Sequence, residues 1–160
     1  MAGYYRITRN IEASIIEYLT ALLVAQWTDI SVEKSYTRIY DISLPSVCIR
    51  VGTTTHEKAE IGADSTTRTP QVLIDIFATD DGMKLDIKDF IIEKIKGGCD
   101  YYEYEVTNGA FSNQTLNGRI RVIDIDDTPL NLNIDKERLD DHDRYRHLLT
   151  LSISLGRVET

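Results

Sequence analysis

The chain has little cysteine. Among its 160 residues are two cysteines, Cys48 and Cys99, too few and too far apart for a metal motif. The opening segment MAGYYRITRN lacks the apolar core of a secretion signal, so the pair is expected as reduced thiols in a protein assembled in a cytosol. No apolar run approaches the ~20 residues that a membrane-spanning helix needs, and no membrane partner is expected. Positive charge is also scarce: 18 Lys and Arg stand against 26 Asp and Glu, giving a formal net charge of -8 and a pI near 4.8. Gripping nucleic acid by its phosphates takes a concentrated cationic surface, and this composition argues against one. Negative charge along a passage would instead repel DNA and let it slide, although the same charge serves solubility equally well. There is no phosphate-cradling glycine loop, because Gly97 and Gly98 end a helical pattern instead of preceding one. Internal repeats and linkers are missing too. A chain of this length fits one domain, burying about two-thirds of the surface that its unfolded form exposes.

What is present is best seen in residues 67–98, TRTPQVLIDIFATDDGMKLDIKDFIIEKIKGG. Val72, Leu73, Ile74, Ile76 and Phe77 place β-branched and aromatic residues on both faces, the pattern of a central strand covered on each side, with Asp75 the lone intruder. Asp80 or Asp81 can accept hydrogen bonds from the first free amides of a helix. The apolar positions of that helix, Met83, Ile87, Phe90, Ile91 and Ile95, recur at three-to-four spacing, and Gly97 and Gly98 stop it.

Residues 8–27 predict another helix, with Ile11, Ile15, Leu19, Leu22 and Leu23 at helical spacing and Thr8 or Asn10 available as its cap. Short strands are expected at 29–36 and 46–53, the second alternating Val47, Ile49 and Val51 against Cys48 and Arg50. The polar span between that strand and Arg68 is either an extended hairpin arm or a mobile loop. Residues 100–106 read as a strand with Tyr102, Tyr104 and Val106 on one face and Tyr101, Glu103 and Glu105 on the other. Turn chemistry is expected at 107–117. A strand at 118–126 changes parity between Val122 and Ile123, which suggests a bulge or a strand end. Residues 127–146 look charged and loop-like, and Leu149, Leu151, Ile153 and Leu155 mark a final strand. The sum is a single α+β domain, two helices packed on a mixed or antiparallel sheet with a long polar β-arm or loop.

Few groupings invite chemistry. Asp124, Asp126 and Asp127, with Asp140, Asp141, His142 and Asp143, offer carboxylates for a hard cation, but their spacing lacks the glycine and glutamate of a calcium loop and reads as a solvated acidic surface. Asp75, Glu93 and the lysines Lys94 and Lys96 imitate a nuclease set; a strand residue and a residue on the polar face of a helix make a poor site. His56, His142 and His147 sit singly, without a nucleophile arranged beside them. No catalytic residue, cofactor or metal is therefore expected. The nine tyrosines point instead to contacts, since Tyr and Arg are enriched where proteins meet.

The helix NIEASIIEYLTALL, the strand SVCIRVG after a proline, the polar arm and TPQVLIDIFATDDGMKLDIKDFIIEKI together resemble the tail terminator (tail completion) proteins of long-tailed, siphovirus-type bacteriophages. The resemblance covers most of the first hundred residues. It implies a hexameric ring that docks on the last ring of the tail tube, ends its polymerisation and presents a surface to the head-completion or connector protein. The implied partners are thus a second copy of the chain, the tail tube protein and the connector, with DNA passing through the lumen without specific binding. The implied location is the neck of a virion, after assembly in the host cytoplasm. A closed ring requires two different surfaces of one subunit to match, and these are expected in the arm at 53–67 and the charged segment at 127–146. The contact residues expected are Thr54, His56, Glu57, Lys58, Glu60 and Arg68 on the arm, with Tyr101, Asp140, Asp141 and Arg144 elsewhere. Two further classes stay open: another neck or tail protein, such as a head-completion or tail-tube subunit, and a metal-dependent hydrolase working through Asp124 or Asp126.

Overall fold

The computed structural model describes residues 6–34, 40–129, 141–156 and 158–159. Helix α1 (Ile7–Gln26) leads into a short strand β1 (Ser31–Glu33) and a long strand β2 (Ser46–Lys58). Strand β3 (Thr66–Phe77), helix α2 (Asp81–Ile95) and strand β4 (Cys99–Thr107) follow. Strand β5 (Ala110–Pro129), a single helical turn α3 (Asp141–Arg144), strand β6 (Arg146–Ser154) and a two-residue strand β7 (Val158–Glu159) complete the chain. The sheet order is β1-β2-β3-β6-β5-β4, with β7 paired to β3. Among the described residues only the β1–β2 pairing is parallel, so the sheet is mixed and the fold is α+β.

The central strand expected between residues 67 and 77 is β3, flanked by β2 and β6. Its Val72, Ile74 and Ile76 lie opposite Val51, Ile49 and Val47 of β2, and all point to the face that both helices cover. Into the same core come Ile11, Ile15, Leu19 and Leu23 of α1 and Ile87, Ile91 and Ile95 of α2. Each such side chain, taken wholly out of water, stabilises the fold by about 1.5–3 kcal/mol before entropy is counted. The helices meet through an edge-on contact of Trp27 and Phe90, with ring centroids 5.1 Å apart, and a hydrogen bond from the Tyr18 hydroxyl to the Lys94 carbonyl.

The opposite face of β3 is buried as well over Asp75 and Phe77, as expected of a strand covered on each side. Cys48, Phe77 and Leu44 form a small apolar cluster there, while Asp75, although 1% exposed, is held between two arginines. The guanidinium groups of Arg50 and Arg146 close over the carboxylate, and Arg146 also reaches Asp143 of α3 at 3.5 Å.

Helix α2 begins as expected, with the Asp80 carboxylate accepting from the Met83 amide at 2.8 Å. At its other end Gly98 has φ +79°, and a Cβ there would stand 2.2 Å from the Ile120 carbonyl oxygen, so only glycine fits. Helix α1 corrects the expectation that Thr8 or Asn10 caps it. Its N-cap is Arg6, which makes no side-chain cap bond, and Thr8 and Asn10 lie inside the helix. Asn10 and Ser14 are buried and turn to β4 instead. The Asn10 Oδ1 accepts from the Tyr104 amide at 3.3 Å, and the Ser14 hydroxyl accepts from the Tyr102 amide at 3.0 Å. The outer edge of β4, which β5 leaves free, is thereby covered by a helix rather than by another strand.

Strand β4 also differs in parity. A register shift between Asp100 and Tyr102 puts Tyr101 and Tyr104 on the inner side together, 0% and 6% exposed. The turn chemistry expected at 107–117 is confined to Asn108 and Gly109, both with positive φ, in a two-residue hairpin. Residues 110–117 belong to β5, whose first half pairs with β4 and whose second half pairs with β6. The expected parity change in β5 is a register shift between Val122 and Asp124 that leaves Ile123 62% exposed.

Candidate functional site

The polar span after β2 is a hairpin arm. Beyond a register shift between Val51 and Thr54, β2 and β3 continue as a ladder that pairs Thr54 with Pro70, His56 with Arg68 and Lys58 with Thr66. Pro70 is tolerated inside β3 because it lies next to this irregularity, where a missing ladder donor costs least. The arm closes through hydrogen bonds from the Ala59 amide to the Ser65 carbonyl and from the Ala63 amide to the Glu60 carbonyl, with Gly62 at φ +85°. Lys58 reaches Asp64 at 3.6 Å across the tip. From Gly52 to Gly62 only Thr54 is partly covered, so the arm is a ribbon standing off the core. At its base the Arg68 guanidinium donates to the Thr8 hydroxyl at 3.0 Å, which ties the arm to the start of α1.

The structure therefore gathers six of the expected contact residues, Thr54, His56, Glu57, Lys58, Glu60 and Arg68, on one ribbon. Tyr101 is a correction: it is fully buried in the core, because the register shift between β4 and β5 turns it inward, and its hydroxyl accepts from the Asn10 side chain at 3.4 Å. Asp140 lies outside the described residues. Asp141 and Arg144 are the ends of α3, which sits at the far end of β3 from the arm: the Ala78 amide bonds the Tyr145 carbonyl, and Tyr40 donates to Asp143 at 3.0 Å. Twelve residues of β3 separate the two surfaces, roughly 40 Å at the usual rise of an extended strand.

A third surface escaped the sequence. The β4–β5 hairpin is a second projecting ribbon, exposed throughout residues 107–119. Near its tip Phe111 stacks on Tyr104 with centroids 4.7 Å apart, and Arg9 of α1 lies over the Phe111 ring at 4.6 Å. Between α1 and this hairpin is a cleft of about 360 Å³ whose walls include Ala13, Ile16, Tyr104 and Phe111. The Tyr104 hydroxyl donates to Glu17, and its ionisation is pushed well above the ordinary range by burial and by that carboxylate. The signal for this hairpin was the Asn108-Gly109 pair, which favours the backbone of a tight hairpin turn.

The titratable groups have structural partners. Burial alone would raise the pKa of Asp127, but hydrogen bonds from His147 and Lys88 hold it below the usual carboxylate value. Lys88 is raised in turn, chiefly by its bonds to Asp127 and Asp89. Among the described residues no three His, Cys, Asp or Glu side chains gather in a way that could hold a metal ion. No helix among them is long and apolar enough to cross a membrane. No protein-family model matches the chain, and no curated protein matches it.

Proposed function

We propose that the protein is a phage tail terminator that works by recognition: it forms a ring on the tail tube, ends its growth and offers a docking surface to the head connector. The observation that carries this reading is the polar arm from Thr53 to Thr67, an ordered ribbon whose exposed side chains do nothing for its own core. Two-stranded ribbons are marginal alone in water, and one held this far from the core is suited to a surface outside the chain. The second support is its position. The arm and α3 lie at opposite ends of β3, so the chain presents separate surfaces, as a subunit that meets both its ring neighbours and a further partner requires. A net charge of -8 is compatible with a lumen through which DNA moves without adhering. No bond chemistry is part of this proposal.

The test is removal of residues 57–65 with a short turn in their place. The shortened protein should fold, because the core lies beyond the arm, and tails assembled with it should be overlong and irregular. Tails of normal length would overturn the proposal.

A further inference from the structure

The tip of the arm carries a large aliphatic side chain with nothing around it. Ile61 is 106% exposed, more than any other large hydrophobic among the described residues. A turn of this shape accepts polar residues throughout, so an isoleucine at its apex is unexplained by the fold. The cleft between α1 and the β4–β5 hairpin is the reverse case, an apolar hollow with Ala13 and Ile16 on one wall and Tyr104 and Phe111 on the other. Its volume of about 360 Å³ admits an isoleucine side chain together with part of a turn.

We infer that Ile61 of one copy seats in this cleft of a second copy. The chain's own Ile61 does not fill its own cleft, as full exposure shows, so the two surfaces are complementary but separate. Charge supports the match. The two acids of the cleft are already engaged, Glu12 accepting from the Val51 amide at 3.2 Å and Glu17 from the Tyr104 hydroxyl. Arg9 and Lys34, both exposed, are the cations beside it. The arriving tip brings Glu57, Glu60 and Asp64 against the single cation Lys58. An acidic tip with an apolar apex thus meets an apolar cleft bordered by cations, and the contact joins different surfaces of the two copies, which is the geometry that builds rings. This inference rests on the ring reading and names the contact that would make the ring.

Disulfide trapping in the full-length protein tests it, because Cys48 and Cys99 are 0% and 2% exposed and do not compete. Ile61→Cys protein is mixed with a mass-tagged Ala13→Cys protein, and with a tagged Leu85→Cys protein as control, Leu85 being 48% exposed on α2. Seating of Ile61 predicts that the Ile61→Cys and Ala13→Cys proteins link about tenfold faster or more than the control pair, because docking raises the effective concentration of the two thiols. Linking no faster than the control would overturn the inference. Ile61→Asp separates it from the ring reading. Rings that close equally well with that variant overturn the Ile61 contact and leave the ring standing. Copies that link through the two introduced thiols but never close support the contact and overturn the ring.

Discussion

Arg146 donates to the carboxylate of Asp75 at 3.1 Å, and the carboxylate is 1% exposed near the end of the central strand. Arg50 binds the other carboxylate oxygen at 3.3 Å, and the Arg146 guanidinium also lies 4.9 Å from the centre of the Phe77 ring. The acid that interrupts an apolar strand is therefore the anchor of the face opposite α1 and α2. Removing one member of a buried pair leaves the other charge uncompensated. Asp75→Ala is expected to cost about 3 kcal/mol, toward the low end for such a loss because Arg50 is 39% exposed and can rehydrate. Urea denaturation checks this, and a loss below about 1 kcal/mol would show that the arginines do not depend on Asp75.

Asn10 and Ser14 replace a neighbouring strand at the open edge of β4. Their substitution by alanine leaves buried amide groups without a partner, at about 1–3 kcal/mol each. The more specific readout is amide exchange. The Tyr102 amide should exchange faster in Ser14→Ala and the Tyr104 amide in Asn10→Ala, each without effect on the β3 amides. Unchanged exchange at both positions would mean that other groups protect the edge.

Much of the fold was legible in the sequence, for reasons that differ by element. Strand β3 and helix α2 were readable because their apolar residues repeat with the period of the structure they adopt, and Asp80 and Gly98 mark the ends of the helix with local chemistry. The arm was visible as a polar stretch between two apolar strands, although the choice between ribbon and loop depended on pairing that composition does not reveal. Strand β5 was hidden in its first half because residues 110–119 are exposed on both sides and so show no alternation. Tyr101 was misplaced because an extra residue in β5, between Leu116 and Arg119, breaks the regular pairing of β4, and a bulge in a partner strand is not visible in the sequence of β4 itself. Asn10 read as a cap because capping is local, whereas its real partner is 94 residues away.

The two thiols give the fold an alkaline limit. Burial pushes Cys48 up to about 11 and Cys99 up to about 12, from an ordinary 9.0. In the unfolded chain both ionise as pH rises past 9.0, while the folded chain keeps its protons. The unfolded state then binds fewer protons, so stability is full below that pH and falls as pH climbs toward the raised values. Tyr104 acts in the same direction at higher pH. Urea midpoints should therefore decline between about pH 9 and about pH 11, and Cys48→Ala should flatten part of the decline. A midpoint constant across that range would contradict the burial of the thiols.

A subunit that closes into a ring and stops there declares itself in the mass and shape of the purified full-length protein. Light scattering across a concentration series, with electron microscopy of the same samples, reads both. Closed rings of one fixed subunit number are expected, hexameric by the resemblance, and they should not stack further at higher concentration. Filaments of indefinite length would contradict the ring, because they would show a contact between copies that repeats without closing.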